Sequence, residues 1–196
     1  TLDEALDVEP TFERVEMAEN DANTRAVFLA SYDTDRLLDQ VIVMTADSAG
    51  SVQSGAIDIA PGNSMTVAIS FGGVVDVEPS AREYTRESQG DSDGAIVRVN
   101  NLGTITWASS FGGAGADLAV GVASRPTGGI FVAGEVSGDA DFYGPGSAVT
   151  GQGTTALFST TGSGDTDGVL VRYNPDGRPQ WISSILASTV GESVRP

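Results

Sequence analysis

The sequence predicts an all-β protein built from four-stranded antiparallel units that repeat along the chain. A stretch at residues 93–110 returns at residues 167–184 with nine identical positions among 18. The 25 Gly and 8 Pro residues separate short apolar runs, a pattern typical of many strands joined by tight turns. Together these observations favour blades of a β-propeller or a propeller-like repeat stack, incomplete in this chain.

Four strand-sized segments follow one another in the middle copy. They span residues 95–100, 105–111, 118–124 and 130–136, and each is bounded by an Asn-Gly type turn or by Gly and Pro. Four short antiparallel strands make one propeller blade. We therefore expect these four strands to form a single sheet.

The repeat is longer than a bare blade. The two strong copies start 74 residues apart, whereas a four-stranded blade needs only about 40–50 residues. The excess lies after the fourth strand, in residues 78–92 and 143–166. This position predicts a long connecting insertion, rich in Gly, Thr and Ser in the later copy, on one rim of each blade.

The chain divides into four parts on this pattern. They are an acidic leading segment or degenerate blade remnant at 1–25, a degenerate first repeat at 26–79, a second repeat at 80–145 and a partial third repeat at 146–196. The leading segment is typical of a solvated arm, or of an edge strand that docks on a neighbouring subunit. Because the third copy stops after its second strand, we expect further sequence or other copies of the chain to complete it.

The repeated positions resemble the SBBP (seven-bladed β-propeller) repeats of secreted bacterial proteins. The likeness extends over residues 64–184 and is poor before them, where Ala26, Arg36 and Gln40 replace the Asp, Gly and Trp of the later copies. It implies an exported, non-catalytic scaffold outside the cell or at the bacterial cell surface. The matching residues are Asp93, Gly103, Trp107, the Phe-Gly-Gly at 111–113, the segment 128–142, Asp167, Gly177 and Trp181.

Composition excludes several classes of function. The formal net charge of −17 argues against nucleic-acid binding, because an acidic surface repels phosphate backbones. The chain has no His and no Cys, which removes the Ser-His-Asp triad, Cys-His pairs and His-ligated metals. No apolar stretch reaches the length of about 18 residues that a membrane helix needs, so we expect no membrane insertion.

Two acidic turns are the candidate metal sites. Gly-Asp-x-Asp-Gly occurs at 90–94 and 164–168, and it places Asp91 beside Asp93 and Asp165 beside Asp167. Calcium takes six to eight oxygen ligands, and such a turn offers two carboxylates plus backbone carbonyls. The alternative is that these Asp residues only form turns, by accepting hydrogen bonds from nearby backbone amides.

Trp107 and Trp181 permit two interpretations. An aromatic face beside Asn and Asp is typical of carbohydrate sites. However, a residue that recurs at one repeat position is typical of packing between sheets, and this second interpretation is favoured.

The primary functional hypothesis is a non-catalytic extracellular structural or adhesive module that presents loops to proteins or glycans and associates with other copies of itself. The alternative is a calcium-dependent carbohydrate-binding module. A third hypothesis is a secreted enzyme acting on glycans, for which Glu135 is the only Glu in a well-matched strand.

Overall fold

The computed structural model describes residues 25–78, 84–145, 156, 158–161 and 166–185, which form fourteen β-strands. These residues contain no helix, and so none long and apolar enough to cross a membrane. The predicted all-β class is confirmed. The strands are β1 (Ala26–Tyr32), β2 (Leu38–Ala46), β3 (Ser51–Ile59), β4 (Met65–Gly72), β5 (Val74–Asp76), β6 (Thr85–Glu87), β7 (Asp93–Val99), β8 (Ile105–Gly113), β9 (Leu118–Ser124), β10 (Ile130–Ser137), β11 (Ala140–Phe142), β12 (Phe158–Thr160), β13 (Thr166–Tyr173) and β14 (Pro179–Ile185).

The strands form three antiparallel sheets. The first sheet has the strand order β1-β2-β5-β6. The middle sheet has the order β12-β11-β8-β7-β4-β3, and the last sheet has the order β14-β13-β10-β9. Within the described residues each sheet is open, with two edge strands. The prediction of four-stranded antiparallel units is therefore confirmed for the first and last sheets, and the middle sheet has six strands because β11 and β12 extend it beyond β8.

The four strands of one sequence repeat do not share a sheet. The segments expected at 95–100, 105–111, 118–124 and 130–136 are strands β7 to β10, but β7 and β8 belong to the middle sheet while β9 and β10 belong to the last. The expectation of a single sheet is wrong because the chain crosses to the next sheet after β8, and β11 pairs with the edge of β8 instead. The middle and last sheets thus join the third and fourth strands of one repeat to the first and second of the next.

One hairpin turn recurs in all three sheets. In each, the Oδ1 atom of an Asp or Asn accepts hydrogen bonds from the backbone amides two and four residues later: Asp33, Asn100 and Asn174. The third residue after it has a left-handed φ, which is 68° at Arg36, 76° at Gly103 and 77° at Gly177. Arg36 therefore adopts, at a steric cost, a backbone conformation that glycine adopts readily.

The predicted insertions return to the preceding sheet. Strands β5 and β6 pair with each other and extend the first sheet from β2, and β11 and β12 likewise extend the middle sheet from β8. The first of these hairpins also contacts the middle sheet, because the buried Arg86 donates a hydrogen bond to the Ala108 carbonyl oxygen at 2.6 Å. The insertion residues 79–83 and 146–155 lie outside the described part of the chain.

Two apolar cores fill the spaces between the sheets. One joins the first and middle sheets around Met44, Val67 and Val97, and the other joins the middle and last sheets around Phe111 and Val171. Strand β4 lies between them in the middle sheet, and all eight of its residues are buried. The sheets are therefore packed face to face in chain order.

We expect the turn residues to respond oppositely to substitution. Arg36→Gly should raise the free energy of unfolding by about 0.5–1 kcal/mol, because glycine adopts the left-handed conformation without the steric strain that a side chain causes there. Gly103→Ala should lower it by about 2 kcal/mol or more, because the new Cβ would be strained and would collide with the Gln40 side chain. Urea denaturation of the two variants and the parent checks both signs, and equal effects would contradict the structural equivalence of the turns.

Candidate functional site

The four Asp residues predicted as metal ligands have different environments. Asp93 opens β7 and Asp167 lies near the start of β13, and each is only 1% exposed. Asp91 lies in the preceding turn and is exposed to solvent. Asp165 lies outside the described residues. The structure therefore separates an exposed carboxylate from a buried one within the first Asp-x-Asp turn.

Asp93 is held by its own turn. Its Oδ1 atom accepts a hydrogen bond from the backbone amide of Gln89 at 3.3 Å, and its carboxylate packs against Gly112, where a side chain would have no room. Burial raises the pKa of Asp93 from 3.8 to about 7, and the negative charge of Asp117 contributes in the same direction. These contacts are those of a turn-forming residue, the alternative that the sequence offered.

Asp117 is a buried carboxylate that the sequence interpretation missed. It accepts hydrogen bonds from the backbone amides of Gly113 at 2.7 Å and Ser137 at 2.8 Å, at the ends of β8 and β10. Burial raises its pKa. Its backbone amide donates to the Ser92 carbonyl oxygen at 2.7 Å. Asp117 thus fixes the crossing from the middle to the last sheet, and the signal was an Asp that follows a Gly-rich turn directly before a strand.

The described residues contain no group of three or more His, Cys, Asp or Glu side chains arranged to hold a metal ion. Asp93 is engaged by a backbone amide, and its partner across the turn, Asp91, faces solvent. The structure describes only part of the second turn, because Asp165 lies outside the described residues. Calcium binding by Asp91, Asp93, Asp165 and Asp167 stays a prediction.

Trp107 joins the middle sheet to the last. The side chain is 6% exposed, and its Nε1 atom donates a hydrogen bond to the Pro175 carbonyl oxygen at 2.9 Å. A Cβ atom at Gly177 would lie 2.6 Å from two ring carbons of Trp107, so only glycine fits beneath the ring. Ser109 donates to the Gly177 carbonyl oxygen at 2.6 Å. The packing interpretation is confirmed for Trp107.

The same contact joins the first sheet to the middle one with a different side chain. Gln40 holds the strand position of Trp107. Gln40 pairs with Ser31 and Trp107 pairs with Arg98, and in each hairpin this is the pair directly before the register shift beside the turn. Its side-chain amide lies against Gly103, the turn glycine of the middle sheet, where a Cβ would collide with it. A strand-two side chain over the next sheet's turn glycine is therefore the repeated element of assembly.

Trp181 holds this position in the last sheet but is not covered. It is 36% exposed, and its ring contacts Phe131 at 5.9 Å between ring centroids. The packing interpretation is therefore wrong for Trp181 within the described chain. The physical reason is that no described sheet follows the last one, so no turn glycine reaches its ring.

Trp181 belongs to an apolar surface that we call the outer face, defined by Leu170, Trp181 and Ile185. Strand register matches these residues to Ile96, Trp107 and Phe111 of the middle sheet. Leu170 and Ile185 are 39% and 68% exposed, whereas Ile96 and Phe111 are fully buried. The outer face thus repeats, uncovered, the residues with which the middle sheet contacts the last, and we take it as the candidate binding site.

A polar group accompanies the outer face. Arg172 pairs with Trp181 across β13 and β14, and its Nε atom is buried without a hydrogen-bond partner among the described residues. The matching residue of the middle sheet, Arg98, donates a hydrogen bond to the Ser124 hydroxyl of the last sheet at 3.2 Å. The outer face therefore also retains the arginine that bonds across the covered contact.

Comparison with known proteins adds no relative: no family model matches the chain, and no curated protein matches it. The class that the structure defines is an all-β protein of antiparallel sheets stacked face to face. The resemblance to SBBP repeats stays a prediction from the residues.

The two tryptophans provide a matched pair of substitutions. Trp107→Ala should lower the free energy of unfolding by about 3–5 kcal/mol, because it removes a buried ring and its hydrogen bond. Trp181→Ala should lower it by less than about 1 kcal/mol, because its ring is already partly in water. Denaturant unfolding followed by circular dichroism measures both, and equal losses would contradict the difference in burial.

The buried Asp93 should make stability depend on pH. Because its pKa is raised from 3.8 to about 7, the folded state holds the proton more tightly than the unfolded chain does. This contribution is fully present below about pH 4 and is lost as pH rises to about 7, by roughly 1.4 kcal/mol for each pKa unit of the shift.

Asp93→Asn keeps an oxygen acceptor for the Gln89 amide and cannot ionise, so it should be less sensitive to pH over this range than the parent chain. Urea denaturation at a series of pH values measures the slope. Asp91→Asn is the control, because the exposed residue should leave the slope unchanged. A parent-like slope in Asp93→Asn would show that the pH dependence has another origin.

Proposed function

We propose that the chain is a non-catalytic structural and adhesive repeat module of the bacterial exterior. In this proposal its sheets are blades of a β-propeller or propeller-like stack, and its rim insertions and open faces bind proteins, glycans or other copies. The observation that carries the proposal is the recurrence of one contact between successive sheets, Gln40 over Gly103 and then Trp107 over Gly177. Repetition of a single contact is how stacked repeat scaffolds gain rigidity.

The polar groups of the described chain support a scaffold over an enzyme. Two carboxylates with raised pKa values, Asp93 and Asp117, are buried and accept hydrogen bonds from backbone amides. Strongly shifted pKa values are frequent at catalytic sites, but structural networks produce them too, and the groups that donate hydrogen bonds to these two carboxylates are main-chain amides. Their chemistry is thus used to hold turns and the crossing between sheets.

The acidic character of the chain is consistent with a location outside the cell. The net charge of −17 keeps such a protein soluble and apart from polyanions. The secreted location itself follows from the resemblance to SBBP repeats and belongs to the proposal.

A calcium-dependent carbohydrate-binding module is the second candidate, favoured by one observation. Trp181 and Phe131 form a partly exposed aromatic pair on the last sheet, and the Arg125 guanidinium lies 6.0 Å from the Phe131 ring centroid. Aromatic faces with nearby polar groups are suited to stacking against sugar rings. In this candidate the Asp-x-Asp turns would bind the calcium.

One experiment separates the scaffold from its alternatives. The protein is incubated with a panel of bacterial and plant polysaccharides, with calcium or with EDTA, and both retention on the polysaccharide and release of reducing ends are measured. We expect no release of reducing ends, and any retention should be unchanged by EDTA. Release that is lost in Glu135→Gln would replace the proposal with a glycan-acting enzyme. Retention that needs calcium and is lost in Asp91→Asn would replace it with the second candidate.

A further inference from the structure

We infer that the outer face binds a β-hairpin of the same repeat type, whose turn has the form Asn-x-x-Gly or Asp-x-x-Gly and places its glycine against Trp181. The inference rests on the proposed function, because it names the partner of the outer face of the last described sheet. It concerns a surface formed by Leu170, Trp181 and Ile185, all of which are exposed.

The covered contact between the middle and last sheets shows what this surface accepts. Trp107 donates through Nε1 to the Pro175 carbonyl oxygen, and its ring lies on Gly177. Ser109, two residues further on, donates to the Gly177 carbonyl oxygen. All three interactions involve only the turn of the β13–β14 hairpin. An Asn-x-x-Gly turn is therefore sufficient to satisfy the Trp and Ser donors of the sheet below it.

The outer face keeps each group that this contact uses. Trp181 and Ser183 repeat the Trp-x-Ser spacing of Trp107 and Ser109, and both are exposed. Arg172 repeats Arg98, which donates to the Ser124 hydroxyl at the end of β9, beside the hairpin and not within it, and the Arg172 Nε atom has no partner among the described residues. Because donors and apolar side chains recur together, the surface matches a turn of the same chemistry.

A second copy of this chain does not supply that turn. In the described part of the chain, Gly103 is already covered by Gln40 and Gly177 by Trp107. The β1–β2 turn is exposed, but it carries Arg36 at the left-handed position. Its Cβ would occupy the space that the Trp ring needs. The turn residue thus excludes the β1–β2 turn of a second copy as the partner of Trp181, whereas other surfaces stay open to association of copies.

The test uses the two tryptophans of the intact protein as reporters. The chain is labelled with ¹⁵N, and the two indole N–H resonances are assigned with a Trp181→Phe variant. Unlabelled hairpin peptides, closed between their paired ends, are then added. The first spans residues 169–184 with Trp181→Phe, and its control adds Gly177→Ala. The second spans the matched residues 28–43, and its counterpart carries Arg36→Gly.

We expect the 169–184 peptide to shift the Trp181 indole resonance to saturation while the Trp107 resonance stays in place. The Gly177→Ala peptide and the unchanged 28–43 peptide should cause no shift, and Arg36→Gly should restore one. Absence of any shift, or equal shifts with and without the turn glycine, would overturn the inference. So would a shift caused by raising the protein concentration alone, which would identify a second copy, or by a polysaccharide alone. Peptide binding bears on this inference only, whereas release of reducing ends bears only on the proposed function.

Discussion

A turn glycine without a side chain sets how closely successive sheets approach. A left-handed φ is accessible to glycine at little cost, and the missing Cβ lets an aromatic ring or an amide lie directly on the backbone. In the turn that contains Gly177, the Pro175 carbonyl oxygen accepts a hydrogen bond from Trp107 and the Gly177 carbonyl oxygen accepts one from Ser109. The apolar cores on either side of the middle sheet can close only at the spacing this contact permits, so their packing depends on it.

The sequence was sufficient to predict the strands but not their partners. Alternation and Gly punctuation located β7 to β10 within a few residues, because those signals are local. Pairing of β10 with β13 joins residues 29 to 43 positions apart across an insertion, and no local pattern reports it. The same reason explains why the insertions were expected on a rim, whereas their strands β6 and β12 pair with β5 and β11 and so extend the preceding sheet.

The candidate site was predictable in its residue types and not in its exposure. Trp107 and Trp181 are equivalent by repeat position, yet one is buried and the other is not, because burial depends on what lies above each sheet. The two aspartates of the first acidic turn also differ in burial. Asp93 is buried and accepts a hydrogen bond from a backbone amide, whereas Asp91 is exposed to solvent. Asp117 escaped notice because the first two copies share no acid there and a lone Asp after glycines has many causes.

Sequence repeats and sheets are out of phase by half a unit in this molecule. Because the middle and last sheets each take two strands from one repeat and two from the next, the boundary between those repeats falls inside a sheet. Unequal recombination that adds or deletes one repeat would therefore join half-sheets with matching edges and leave no incomplete sheet at the junction. The arrangement allows the length of such an array to change over evolutionary time while each contact between sheets is preserved.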